Sequence, residues 1–188
     1  MLPSAEMIRL FIALDVPVDL RAQLEKLPRK GLDAKWSHGD DFHITIRFLG
    51  DIESARVPEI EEALVKIRSP SFGVEVRGLS HFDNKKQSVL HVAVQSVRRM
   101  ENLCADVSEA LTPLGFDFGS RPFIPHVTVA RVKGRGSALD DYTARHGHLV
   151  AARWQAAAFH LMRSAPPDRA GRRYTILHTY PLLPSGRN

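Results

Sequence analysis

The sequence predicts an α+β protein with antiparallel sheets and helices on their outer faces. Short runs with strand-like apolar or alternating patterns are interleaved with amphipathic helical segments. One strand signature, His-x-Thr followed by an aliphatic residue, occurs at 43–46 and again at 126–129, 83 positions later. This repeat suggests an internal duplication, and we expect residues 1–188 to form one domain.

The first half alternates strands and helices. The apolar run 7–14 is stopped by Asp15 and Pro17, and the run 42–49 alternates strictly before Gly50. The predicted elements of this half are a strand at 7–14, a helix at 18–30, a short strand at 34–37, a strand at 42–49 and a helix at 54–68.

The second half begins with a predicted hairpin, in which strands 72–80 and 88–95 flank a polar turn. A helix follows at 99–113, with Met100, Leu103, Val107 and Leu111 on its inner face. The remaining predicted elements are a strand at 124–131, a polar segment at 133–148 expected to be a mobile loop, and strands at 155–163 and 173–180.

The composition bears on the cellular compartment of the protein and on the charge of its partner. A single cysteine, Cys104, excludes an internal disulfide framework, and no apolar run approaches the length of a membrane span. Residues 1–6 are a possible extension before Met7, and we expect a cytoplasmic protein. The net charge is +5, with 19 Arg and 7 Lys. This arginine bias suits an anionic partner, although a GC-rich genome would also produce it.

The repeated motif carries the candidate chemistry. Residues i and i+2 of a strand share a face, so His43 and Thr45 point one way, as do His126 and Thr128. Imidazoles can act as acid and base near neutral pH, and hydroxyls can donate to phosphate oxygens. The set therefore suits cleavage of a phosphodiester without a metal ion.

The sequence resembles a known family, the two-histidine phosphoesterases. Within that family it resembles the RNA 2′,3′-cyclic phosphodiesterases, once named 2′-5′ RNA ligases. The resemblance covers nearly the whole chain. It is carried by the segments 9–15, 42–46, 48–50 and 121–131, by Trp36, and by Ser164, Gly171, Tyr174 and 180–182 near the end. Arg47 departs from the pattern of the family, which usually has a small or apolar residue there.

The resemblance implies two pseudo-twofold-related lobes around a central cleft. It implies that His43 is the general acid and His126 the base that activates water, which gives a 2′-phosphate product. With an RNA 5′-hydroxyl in place of water, the reverse reaction would form a 2′-5′ linkage. The expected partner is an RNA or nucleotide with a 2′,3′-cyclic phosphate end, bound by a monomer without cofactor or metal.

Three further residues are candidates for substrate contact. By strict alternation Arg47 shares the face of His43 and Thr45, where it could contact phosphate, or it lies at the cleft rim in water. Phe48 and Arg131 each follow a motif histidine by five residues, and a nucleobase could lie between them. Strict alternation puts both on the buried face, so a bulge or strand end would be needed to turn them into the cleft.

Two alternatives stay open from the sequence. The fold could serve as a nucleotide-binding or RNA-binding module without turnover, although both histidines and both threonines are present. The substrate could also be another nucleotide. His146 and His148 have a metal-like spacing, but no partnering cysteine or carboxylate cluster accompanies them.

Overall fold

The computed structural model describes residues 6–37, 39–83, 87–95, 97–133, 137–169 and 172–184. Within them, nine strands and four helices are found. The strands are β1 Met7–Asp15, β2 Ala34–Trp36, β3 His43–Glu53, β4 Phe72–Asp83, β5 Gln87–Val94, β6 His126–Lys133, β7 Ala151–Ala156, β8 Ala158–Ser164 and β9 Tyr174–Pro181. The helices are α1 Val18–Glu25, α2 Val57–Leu64, α3 Arg98–Leu111 and α4 Ser137–His146.

The strands form one curled antiparallel sheet in the order β7-β4-β5-β6-β3-β1-β8-β9, and β2 pairs with β6 beside this path. The two motif strands, β3 and β6, meet in the middle at a single register pair, Ile44 with Val127. Three further strands lie on each side of this junction: β5, β4 and β7 beyond β6, and β1, β8 and β9 beyond β3. The fold prediction of two related antiparallel halves with outer helices is confirmed.

The helices tie the two halves together across the junction. Helix α3 follows β5 of one half but packs on β3 of the other, whereas α1 follows β1 and reaches β7. The predicted inner face of α3 is confirmed, since Met100, Leu103, Val107 and Leu111 are all fully buried. Because each half is covered partly by a helix from the other, the two motif strands are held in a fixed relation.

A β-bulge interrupts each motif strand at the same place. On β3, Thr45 pairs with Ala13 of β1 and Arg47 with Ile12, so Ile46 has no partner. On β6, Thr128 pairs with His91 of β5 and Ala130 with Leu90, so Val129 has none. In both strands the extra residue is the fourth of the motif. Each bulge shifts the alternation by one, so the residues beyond it exchange faces.

Several boundaries differ from the sequence-based prediction. Helix α1 ends at Glu25 instead of 30, α2 covers Val57–Leu64 instead of 54–68, and β6 begins at His126 instead of 124. The polar segment 133–148 is largely helical, because α4 covers Ser137–His146, while residues 134–136 lie outside the described part. The predicted strand 155–163 is two strands, β7 and β8. Strand β3 continues past Gly50, which adopts a φ of +87° that glycine tolerates without strain.

The start of the described chain is anchored. Glu6 accepts a hydrogen bond from Ser54 N through its carbonyl, and its carboxylate pairs with Arg163 at 3.0 Å. The other residues of the suggested 1–6 extension lie outside the described part. Among the helices that are described, none is long and apolar enough to cross a membrane.

Candidate active site

His43 lies at the start of β3 with its ring fixed by the chain just before it. Its Nδ1 donates to the carbonyl oxygen of Asp41 at 2.8 Å. That bond selects the tautomer in which a neutral ring leaves Nε2 unprotonated. Nε2 lies 3.1 Å from the Thr45 hydroxyl oxygen, on the cleft side of the strand.

His126 repeats this arrangement at the start of β6. Its Nδ1 donates to the carbonyl of Ile124, two residues earlier, also at 2.8 Å. Each ring is therefore held by an equivalent hydrogen bond to the backbone. In both rings Nε2 is the nitrogen that is available for proton transfer. The duplication extends from the sequence motif to the orientation of the rings.

The four motif side chains line one cleft of about 550 Å³. The prediction that the two strands bring their His-Thr faces together agrees with this placement. Phe48 and Arg131 line the same cleft, because the bulges at Ile46 and Val129 turn them toward it. Phe48 is 57% exposed despite being a large apolar residue, which is typical of a surface that receives a ligand.

Aromatic rings surround each histidine. Phe11 and Tyr174 lie with their centroids 4.9 and 5.0 Å from the ring of His43. Phe82 and His91 lie 5.1 and 5.3 Å from the ring of His126. These packed rings limit the rotation of both imidazoles about their side-chain bonds.

Burial sets the protonation of two of these histidines. It lowers the pKa of His43, and the carbonyl of Asp41 offsets part of that shift. It lowers the pKa of His91 to about 4, so His91 is neutral near pH 7 and is stacked on Phe82 at 4.0 Å. At pH 7 His43 is therefore mostly neutral.

The predicted orientation of Arg47 is wrong. The bulge at Ile46 turns its side chain away from the cleft, where Nε donates to Ser108 Oγ of α3 at 2.7 Å. Its guanidinium also lies 4.9 Å from the ring centre of Phe118. Beside it, the Ile46 carbonyl accepts a bond from Cys104 Sγ at 3.4 Å. Arg47 thus links the bulged part of β3 to α3, on the face of the sheet that is turned away from the cleft.

Sequence reasoning missed several residues of the cleft. Phe11 and Tyr174 gave no sequence signal for the cleft. Phe11 is buried in a small cluster with Tyr174 packed against it, and both rings also line the cleft beside His43. Lys35 gave no sequence signal, because its position depends on the pairing of β2 with β6. Phe82 of β4, far from either motif in sequence, does not line the cleft but packs against the ring of His126. Among the described residues, no group of three or more His, Cys, Asp or Glu is placed to hold a metal ion.

Comparison with known proteins shows the family to which this chain belongs. The family model described as LigT-like phosphoesterase matches residues 14–91. The RNA 2′,3′-cyclic phosphodiesterase of Thermotoga maritima is 34% identical over 133 residues, which are 67% of this chain and 71% of that protein. The chain belongs to the LigT-like phosphoesterase family. A second member, the RNA 2′,3′-cyclic phosphodiesterase of Aeropyrum pernix, is 30% identical over 87% of this chain and 94% of its own length.

Two solved structures share the fold. E. coli LigT in its apo form gives a TM-score of 0.74 at 22% identity, covering 95% of this chain and 99% of LigT. The protein TT0787 of Thermus thermophilus gives 0.67 at 24% identity, with 95% and 100% covered. At these identities the likeness concerns the fold, and it extends over both halves of the sheet.

Proposed function

We propose that this LigT-like phosphoesterase hydrolyses RNA 2′,3′-cyclic phosphate ends to 2′-phosphates by acid–base catalysis with His43 and His126. The observation that carries the proposal is the repeated ring geometry. Each Nδ1 is bonded to the carbonyl two residues earlier, and each ring lines the same cleft. The related proteins from Thermotoga and Aeropyrum bear the name of this activity.

The two sides of the cleft suit an in-line displacement. The attacking and leaving oxygens lie on opposite sides of phosphorus, so the base and the acid must also face each other across it. The two histidines come from the neighbouring strands β3 and β6, one on each side of the junction, and both line the cleft, so they are able to serve the two sides of phosphorus. His126 Nε2 takes a proton from water as its oxygen bonds to phosphorus, and the bond from phosphorus to O3′ breaks. His43 Nε2 gives its proton to O3′, which leaves a 2′-phosphate and a free 3′-hydroxyl.

The lowered pKa of His43 fits the acid role only when substrate is present. A general acid must start protonated, and burial lowers the pKa of His43 and so disfavours the charged ring. The negative charge of a bound phosphate favours the imidazolium and raises the pKa again. We therefore assign His43 its proton in the complex, where Thr45 and the phosphate both lie beside Nε2.

The remaining cleft residues hold the substrate. Thr45 and Thr128 donate to the non-bridging phosphate oxygens, and Arg131 contacts phosphate or base. Phe48 offers an exposed ring for a nucleobase. An RNA 5′-hydroxyl bound in place of water would be joined through the same steps into a 2′-5′ linkage.

The test is hydrolysis of a short RNA that ends in a 2′,3′-cyclic phosphate, with the product identified by phosphorus NMR. We expect a 2′-phosphate from the wild type and little product from His43→Ala or His126→Ala. His178→Ala is the matched control, because His178 lies beside Glu61 at 4.0 Å and not in the cleft. Binding of the RNA without turnover by the wild type would support a binding module instead.

A further inference from the structure

Two cations face each other across neighbouring strands in the cleft. Lys35 of β2 and Arg131 of β6 are direct register partners. Both side chains are exposed, and both line the cleft. Residues directly opposite on antiparallel strands have Cβ atoms about 4.5–5.5 Å apart, and like charges at such positions destabilise the pair. The sheet therefore tolerates a repulsion at this position.

Within the described part of the chain, no ion pair or side-chain hydrogen bond involves Lys35 or Arg131. Two residues further along β6 the situation differs, since Lys133 lies 3.4 Å from the carboxylate of Asp33. At the other end of the cleft, Arg9 is paired with Asp51 at 2.8 Å. Arg173, just before β9, also lines the cleft without a described ion pair. Only Lys35 and Arg131, however, lie directly opposite each other as register partners.

This pair breaks the symmetry between the two halves. Arg131 corresponds to Phe48, since each follows its motif histidine by five residues. Each is also turned toward the cleft by the bulge of its own strand. Strand β2 adds Lys35 beside Arg131, but no described strand pairs with β3 at the corresponding edge. One side of the cleft therefore offers an exposed ring and the other offers two cations.

We propose that Lys35 and Arg131 together bind a second phosphate, the internucleotide phosphate that precedes the cyclic end of an RNA chain. This inference rests on the function proposed above. The cyclic phosphate lies between the two histidines, so a cyclic mononucleotide brings no other anion. A chain of two or more nucleotides brings one, and it neutralises the opposed cations through charge-assisted hydrogen bonds. The preferred substrate is then an oligoribonucleotide end.

The experiment compares kcat/KM for a cyclic mononucleotide and for a dinucleotide that ends in the same cyclic nucleotide. We expect the wild type to favour the dinucleotide, and Lys35→Gln to reduce that preference by about 5- to 10-fold through loss of one phosphate contact. The salt slope of log kcat/KM for the dinucleotide should become shallower by about 0.7, the value for one contact to a single strand. Lys35 is exposed, so the substitution leaves no buried group unpaired.

Two controls isolate the second phosphate. Lys133→Gln removes the same charge from the same strand pair outside the cleft, and it should leave the preference unchanged. A dinucleotide with an uncharged methylphosphonate linkage should lose its advantage with the wild type and lose nothing more with Lys35→Gln.

Several results would overturn the proposal. They are a dinucleotide preference that Lys35→Gln does not alter, a methylphosphonate as good as the phosphate, or a preference that falls with Arg173→Gln and not with Lys35→Gln. Hydrolysis of the mononucleotide by the wild type tests the proposed function separately. If neither substrate is hydrolysed, that function fails. The affinity of the wild type and Lys35→Gln for a dinucleotide 2′-phosphate then still decides whether the second phosphate is bound here.

Discussion

Thr45 and Thr128 allow the holding of the phosphate to be separated from the movement of protons. Neither hydroxyl is assigned a proton transfer, and both line the cleft beside a motif histidine. Valine keeps the β-branched shape that the strands require, so Thr45→Val and Thr128→Val should leave β3 and β6 in place. Each substitution therefore removes one proposed donor to the phosphate and little else.

The size of the effect follows from the bond that is lost. A hydrogen bond to a charged group contributes about 1.5–3 kcal/mol, and each 1.36 kcal/mol is a factor of about ten in rate. We expect either substitution to lower kcat/KM by roughly 10- to 100-fold.

The pH dependence should separate the two threonines. Only Thr45 is bonded to its histidine, at 3.1 Å from Nε2 of His43. The bond is stronger when the ring is charged, so Thr45→Val lowers the pKa of His43 further. The alkaline limb of the profile, where the general acid loses its proton, therefore moves to lower pH. Thr128→Val should leave that limb in place.

The assay is steady-state hydrolysis of a cyclic-phosphate RNA end from about pH 5 to 9, with thermal melting to confirm the fold. Thr179→Val is the matched control, because Thr179 bonds His160 at 3.0 Å outside the cleft. Full activity in either motif variant would show that its threonine is only a strand residue, and the symmetric donor pair would be wrong.

Three further predictions concern stability, orientation and metal. Burial lowers the pKa of His91 to about 4, so its neutral ring favours folding above about pH 6.5, and this stabilisation is lost as the pH falls toward 4. His91→Phe should therefore reduce the fall in Tm between about pH 7 and 4.5, and an unchanged fall would refute this. Arg47→Met should lower the free energy of unfolding by about 1–2 kcal/mol, because Ser108 Oγ loses the hydrogen bond that Arg47 donates. The value of kcat should be nearly unchanged, and a large loss of kcat would indicate that Arg47 contacts the phosphate after all. Activity should survive excess EDTA, since both proton transfers have side chains; loss with rescue by a divalent ion would contradict that mechanism.

The sequence predicts the motif strands well because their signal is local. Alternation places His43 with Thr45 and His126 with Thr128, and no distant contact is needed to read that pattern. The inner face of α3 is equally readable, because residues three and four apart share a side of a helix.

Beyond the motifs, the alternation of residues along the strand predicts the wrong side-chain orientation at the bulges. Strict alternation puts Arg47 in the cleft and Phe48 in the core, and a single unpaired residue, Ile46, reverses both. Its carbonyl and its neighbour Arg47 bond to α3, more than fifty residues away in the chain. Lys35 is a similar case, since it reaches the cleft only through the pairing of β2 with β6. Such positions depend on tertiary contacts, which local patterns do not encode.

The most direct test of the central claim replaces the bridging 3′ oxygen of the cyclic phosphate with sulfur. A thiolate leaves without a proton, because a thiol has a pKa of about 8.5, so an acid is no longer required. With the oxygen substrate we expect His43→Ala and His126→Ala each to lose roughly 10²- to 10⁴-fold in rate. With the sulfur substrate, most of the loss in His43→Ala should disappear, while that in His126→Ala should remain. Rescue of His126→Ala instead would exchange the two roles, and near-wild-type activity of either variant on the oxygen substrate would contradict the account.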